Sequence, residues 1–143
     1  MNITKQFDYQ RWLAALVAAG TDVAIVESAA IDCVNMDRIA VFLNIGGTAV
    51  QNGTVKFYME SCATAAGVYA AIPGATIGTH THGGSGETAK TYMIDSAINN
   101  RYVKIVYQRE TQNTELQSGI ALLYAGKKLP VDLTTAYKES VVV

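Results

Sequence analysis

The chain has two histidines, and both lie in one stretch, "PGATIGTHTHGGSGE", residues 73–87. His80 and His82 are two apart, so on a strand both would project to the same side. Imidazole nitrogen ligates zinc, nickel, iron and copper. A carboxylate such as Glu87, five residues further on, would complete a facial set of three. Residues 83–86, "GGSG", are permissive backbone, and fixing a ligand on such a loop costs ordering entropy. The simpler expectation is a polar surface loop with two solvated histidines, no bound metal and no cofactor.

The same stretch resembles the first motif of the cupins, metal-binding jelly-roll proteins. In that motif Pro-Gly is followed after five residues by His-x-His, then after three or four by Glu, then after six by Gly. Pro73-Gly74, His80, His82 and Glu87 keep this spacing, but Ile94 stands where the closing glycine would fall. The second cupin motif supplies a further histidine, and this chain has none to offer. The ligand set that the resemblance implies is therefore incomplete within one chain.

Other reactive groups are sparse. Cys33 and Cys62 are too few for a disulfide framework and match no Cys-x-x-Cys spacing. They read as two small buried hydrophobes in a reducing compartment. No Gly-x-Ser-x-Gly elbow occurs, and "GGSG" lacks the lysine and following hydroxyl of a phosphate loop. The expectation is a protein without enzymatic activity.

The elements that would carry these residues are short and alternate with period two. "RIAVFLNIG" sets Ile39, Val41, Leu43 and Ile45 against Arg38, Ala40, Phe42 and Asn44. "TVKFYMES" sets Val55, Phe57 and Met59 against Lys56, Tyr58 and Glu60, and in "RYVKIVYQR" Val103, Ile105 and Tyr107 share a face. "DVAIVES" and "ELQSGIALLYAG" read as further strands, "GVYAAI" as a short one ending at Pro73, and "KTYMIDSA" as one joined to "RYVKIVYQR" by an "INN" hairpin. Asn52-Gly53 is a turn signal. Six or seven short strands with little helix predict an all-β, antiparallel fold, a sandwich or barrel; the expectation taken forward is a jelly-roll-like sandwich with Val41, Leu43, Phe57, Val103, Ile105 and Leu122 in its core. The expected organisation is an N-terminal arm or short helix over 1–20, a sandwich domain over 21–130 and a tail over 131–143.

Composition narrows the function. At 143 residues one domain is expected, with half its residues hydrophobic and a net charge of −1. Charged residues make up 16%, against roughly 25% in an average soluble domain. No basic block offers a nucleic-acid footprint, and no apolar run approaches the ~20 residues of a spanning helix. "WLAALVAAG" is long enough for a signal-peptide core, but Asp8 beside Lys5 and Arg11 weakens its positive end. So sparse a charge suits a surface buried in an assembly.

A more extended resemblance lies outside the histidine stretch. It comprises a strand after an acidic turn, Asp37 to Gly46, then "GTVKFYMES", Gly53 to Ser61. A strand opening "RYV" follows, Arg101 to Gln108, and a last apolar strand near a proline, Gly119 to Pro130. This plan is similar to that of small virion proteins encoded among the head genes of tailed bacteriophages. The resemblance implies a β-sandwich subunit of a virion, made in the host cytoplasm and placed on the capsid surface as a decoration or cement protein. Its implied partners are the major capsid protein or other virion proteins. A homo-oligomer is expected, with a trimer suited to the local three-fold sites of a capsid. A neck or tail component is the alternative within the virion, and a cupin-like metal protein the alternative outside it. In the N-terminal arm Phe7, Tyr9, Trp12, Leu13 and Leu16 are the interface candidates, because aromatic and large apolar side chains dominate interface energies.

Overall fold

The computed structural model describes residues 8–12, 24–45, 54–81, 90–111 and 116–126. Among them run nine strands: β1 (Asp8–Trp12), β2 (Ala24–Glu27), β3 (Ile31–Asp32), β4 (Met36–Ile45), β5 (Thr54–Cys62), β6 (Ala70–Thr81), β7 (Lys90–Ala97), β8 (Tyr102–Thr111) and β9 (Leu116–Gly126). Every pairing is antiparallel. One sheet has the order β1-β9-β4-β7 and the other β2-β8-β5-β6, with β3 also on β8. Apart from β5 and β6, strands that pair are distant in sequence, because the chain crosses repeatedly from sheet to sheet. This is the jelly-roll form of the sandwich.

The alternating strands build the core. Ile39, Val41, Leu43 and Ile45 of β4, Val55, Phe57 and Met59 of β5, and Val103, Ile105 and Tyr107 of β8 are all at most 1% exposed. Phe57 sits at their centre, its ring 5.5 Å from that of Tyr107 and 6.0 Å from that of Tyr92 in the facing sheet. Apolar side chains on alternate positions have one sheet face to fill, and two such faces closing on each other exclude water from both.

Several sequence expectations are corrected. Leu122 is not in the core; Ala121 and Leu123 are, both at 0% exposure. "IALL" is apolar on both alternations, so its pattern does not choose a face; pairing of Ala121 with Val41 and Leu123 with Ile39 does. "INN" is no hairpin, since β7 pairs with β4 and β8 with β5 in different sheets. The connection instead bridges the sheets, with the Ile98 N–H donating to Asp37 O at 2.8 Å and Asn100 Nδ2 to Ser61 Oγ at 3.0 Å. Nor does the chain leave the sheet at Pro73. There β6 bulges, with Tyr58 opposite Thr76 but Glu60 opposite Ala71. A bulge on an outer strand tolerates a residue without an N–H, and Gly74 supplies the left-handed backbone the detour needs, at φ 78°. Of the two forms expected for the N-terminal segment, arm or short helix, residues 8–12 take the extended one and pair along β9 from Asp8–Leu123 to Trp12–Gly119. A short isolated helix is marginal, whereas the ladder satisfies both strands. Residues 131–143 lie outside the described residues.

A side chain repairs one break in the second sheet. Where β2 ends, the Ser28 N–H donates to Ile105 O at 2.9 Å, and the Ile105 N–H donates to Ser28 Oγ at 3.0 Å. The hydroxyl stands in for a backbone carbonyl, so the buried Ile105 amide stays satisfied.

Candidate functional site

The structure describes only some of the sequence-derived site residues. His80 lies on β6, its backbone paired with Val55, so it belongs to a strand and not to the loop expected for it. His82 and Glu87 lie outside the described residues. Among the described residues no group of three or more His, Cys, Asp and Glu could hold a metal ion. Of the arm candidates, Tyr9 and Trp12 fall on β1, with backbones opposite Leu122 and Gly119. Phe7, Leu13 and Leu16 lie outside the described residues.

Neither cysteine forms a disulfide; Cys33 is buried and Cys62 half-buried. Tyr102 of β8 pairs with Asp32 on one side and Cys62 on the other. Two strand spacings, about 10 Å, separate their neighbourhoods, beyond the ~7 Å that a disulfide spans. The Cys33 thiol instead donates to Ile31 O at 3.6 Å.

What the fold does assemble is a surface. On the outer face of the first sheet, Ile120, Phe42 and Met93 form one cross-strand row, and Leu122, Ala40 and Asp95 the next. Phe42, Ile120 and Leu122 are half-buried, and Met93 is 58% exposed. Ala40 points outward yet is only 9% exposed, since larger neighbours cover it. Polar pairs close the strip at both ends. At one, Arg38 Nε donates to Tyr124 Oη at 2.8 Å, Tyr124 Oη donates to Asp95 at 2.7 Å, and Arg38 meets Asp95 at 3.0 Å. The Tyr124 bond, then Asp95, holds the Arg38 guanidinium above its ordinary pKa. At the other end Thr91 Oγ1 donates to Asn44 Oδ1 at 2.7 Å. Such a strip is apolar, rimmed by hydrogen-bonded polar groups, and suited to burial against another protein.

The outer face of the second sheet differs. Lys104 bonds Glu27 at 2.8 Å and stands over the Tyr69 ring at 4.6 Å, and Lys56 stands over Tyr58 at 5.8 Å. Arg101 grips Asp32 with two bonds, 2.9 and 2.7 Å, and covers the Tyr102 ring. The Arg101 bonds hold the Asp32 carboxyl below the ordinary range. Burial, then the charge of Glu27, pushes Glu60 up. Here charge is neutralised in place and the aromatic faces are already capped.

Sequence reasoning had a signal for the apolar strip. Ala40 and Phe42 occupy the outward alternation of β4, where a solvated face carries polar residues. The pairing with Ile120, Leu122 and Met93 was not readable, because it depends on which strands neighbour β4.

No family model and no curated protein matches the chain. The solved structures similar to the chain include these two. Eiger TNF from S. frugiperda has a TM-score of 0.45 and 10% identity over 89% of this chain and 98% of its own. A protein of infectious bursal disease virus, Gx strain, has 0.46 and 12% over 88% of this chain and 31% of its own. Neither bears on what this chain does.

Proposed function

We propose that this protein is a non-enzymatic structural subunit of a tailed-bacteriophage virion, a decoration protein that binds the assembled head and stabilises it. The observation that carries the reading is the apolar strip on the first sheet, Ile120, Phe42 and Met93 with Leu122, displayed on a rigid jelly roll. A cement protein acts by burying surface across subunit joints and needs a stiff scaffold with an adhesive face. The low charge of the chain and the virion-protein motifs over Asp37–Gly46, Gly53–Ser61, Arg101–Gln108 and Gly119–Pro130 support the same reading. The major capsid protein is the partner. Electron microscopy of virions with and without the protein tests it: added density on the head supports the reading, density at the neck or tail moves it there, and none anywhere ends it.

A second reading is a metal site using His80, His82 and Glu87. Its support is that His80 lies on a strand of a jelly roll, the fold the cupin motif belongs to. Metal analysis of untagged protein, with melting curves in chelator, decides it. A bound ion and a chelator-dependent loss of stability support it, and an unchanged melt with no bound ion rejects it.

A further inference from the structure

The four outer strands of the described sheets are unequally suited to pairing with another chain. β1 has five residues and β2 has four. β6 has twelve, but its register shifts twice, and Pro73 removes a donor. β7, "KTYMIDSA", has eight residues without proline or glycine and runs along β4 with no register shift. From this regular edge we infer a self-association site: two copies of this chain join antiparallel through β7, about a two-fold axis at Met93.

The hydrogen-bond phase supports this assignment. The Ile98 N–H donates to Asp37 O at 2.8 Å. Bonded and non-bonded pairs alternate along an antiparallel ladder. Ser96, Ile94, Tyr92 and Lys90 therefore bond to β4, and the N–H and C=O groups of Thr91, Met93 and Asp95 point away from it. A two-fold partner centred on Met93 meets these groups with its own. Met93 lies opposite Met93, and Thr91 opposite Asp95 in both directions, each pair exchanging two backbone bonds. Tyr92 then faces Ile94 and Lys90 faces Ser96, so no like charges oppose each other. A register centred two residues later would set Asp95 against itself.

Side chains favour the same centre. Met93, 58% exposed, meets its copy on the axis, and the row Ile120–Phe42–Met93 continues into the partner's row as one apolar band. Asp95 is already held by Arg38 and Tyr124, so its charge does not stand bare at the seam. The contact is two-fold, unlike the trimer expected from capsid symmetry. It stands apart from the virion reading, because a dimer that ignores capsids upholds this inference and counts against that one.

The test uses the full untagged chain. Sedimentation equilibrium should give the mass of two chains for the native protein. Met93→Lys places two ammonium groups on the axis and should weaken association about 100-fold, leaving circular dichroism and melting temperature unchanged. A native monomer at hundreds of micromolar, or a Met93→Lys dimer as tight as the native one, overturns the inference. Met93→Cys in a Cys62→Ser background checks the register. Bonded antiparallel pairs lie about 5.5 Å apart between Cα atoms, within disulfide reach. Oxidation should link the chains in near-quantitative yield, and failure to link places the axis elsewhere. Slow amide exchange at Met93 in a monomeric chain would show that the chain covers β7 itself, which also overturns the inference.

Discussion

Among the described residues β6 and β7 end the two sheets on the same side of the sandwich, yet their outer edges are built in opposite ways. β6 is bulged, carries Pro73 and turns through the left-handed Gly74. β7 is straight, in register for all eight residues, and displays Met93. A long open edge is a template for other chains, and proline and bulges are ordinary means of blunting it. The contrast lies in the strand and not in the fold: the same jelly roll has a bulged, proline-bearing edge at β6 and a regular one at β7.

The largest effect should come from the core both edges share. Phe57 packs between Tyr107 and Tyr92 of β7 at 0% exposure. Phe57→Ala should cost about 3–5 kcal/mol in urea unfolding and Ile105→Ala about 2–5; a negligible loss at either would mean the registers are wrong. Ser28→Ala acts at the far edge of the β6 sheet. It strands the buried Ile105 amide and should cost about 1–3 kcal/mol while leaving the behaviour of β6 and β7 unchanged. Gly74→Ala then tests the bulge directly. A Cβ there meets nothing within 4 Å, so the expected loss of about 1–2 kcal/mol is backbone strain alone. If the melting temperature does not fall, the left-handed turn is not what shapes β6.

Pro73→Val should change stability by less than about 1 kcal/mol but give β6 a donor it now lacks. In a Met93→Lys background, which removes pairing through β7, light scattering should then show concentration-dependent association that Met93→Lys alone does not have. If it does not, the bulge alone protects the edge.

The smallest effect is electrostatic, on β5 beside β6. Glu60 is pushed up by burial and then by Glu27, so its contribution is favourable below its unfolded pKa and is lost as pH rises through the folded value. Glu60→Gln should slightly raise the melting temperature at neutral pH and flatten its pH dependence just above the ordinary glutamate range. Asp32 has the opposite sign. Held down chiefly by the Arg101 bonds, it contributes above its unfolded pKa, and that contribution disappears as pH falls through the lowered folded value. Melting curves from neutral pH into acid separate the two. A Glu60→Gln profile that matches the native one shows that Glu60 is not under strain.

How far the sequence could be read follows from which residues carried a single message. In β4, β5 and β8 apolar and polar residues alternate, and a period of two admits one buried face. Ile39, Val41, Phe57, Met59, Val103 and Ile105 were therefore legible as core, and with them the all-β class. Ala40 and Phe42 were visible as apolar residues on the wrong side, a hint of the strip but not of its extent. In β9 both alternations are apolar, so Leu122 and Leu123 were interchangeable until β4 chose between them. The histidine spacing was plain, but spacing says nothing of whether a strand or a loop carries it.

The order of residues thus determined strand periodicity, the inward set of the central strands and the low surface charge, because these depend on neighbours along the chain. Which strands share a sheet, that Pro73 sits in a bulge instead of ending a strand, and that Ile120, Phe42 and Met93 form one row were decided only in three dimensions. Those features depend on backbone hydrogen bonds between segments far apart in sequence. Every peptide but proline's offers the same donor and acceptor, so the partner is selected by the packing of the whole sandwich.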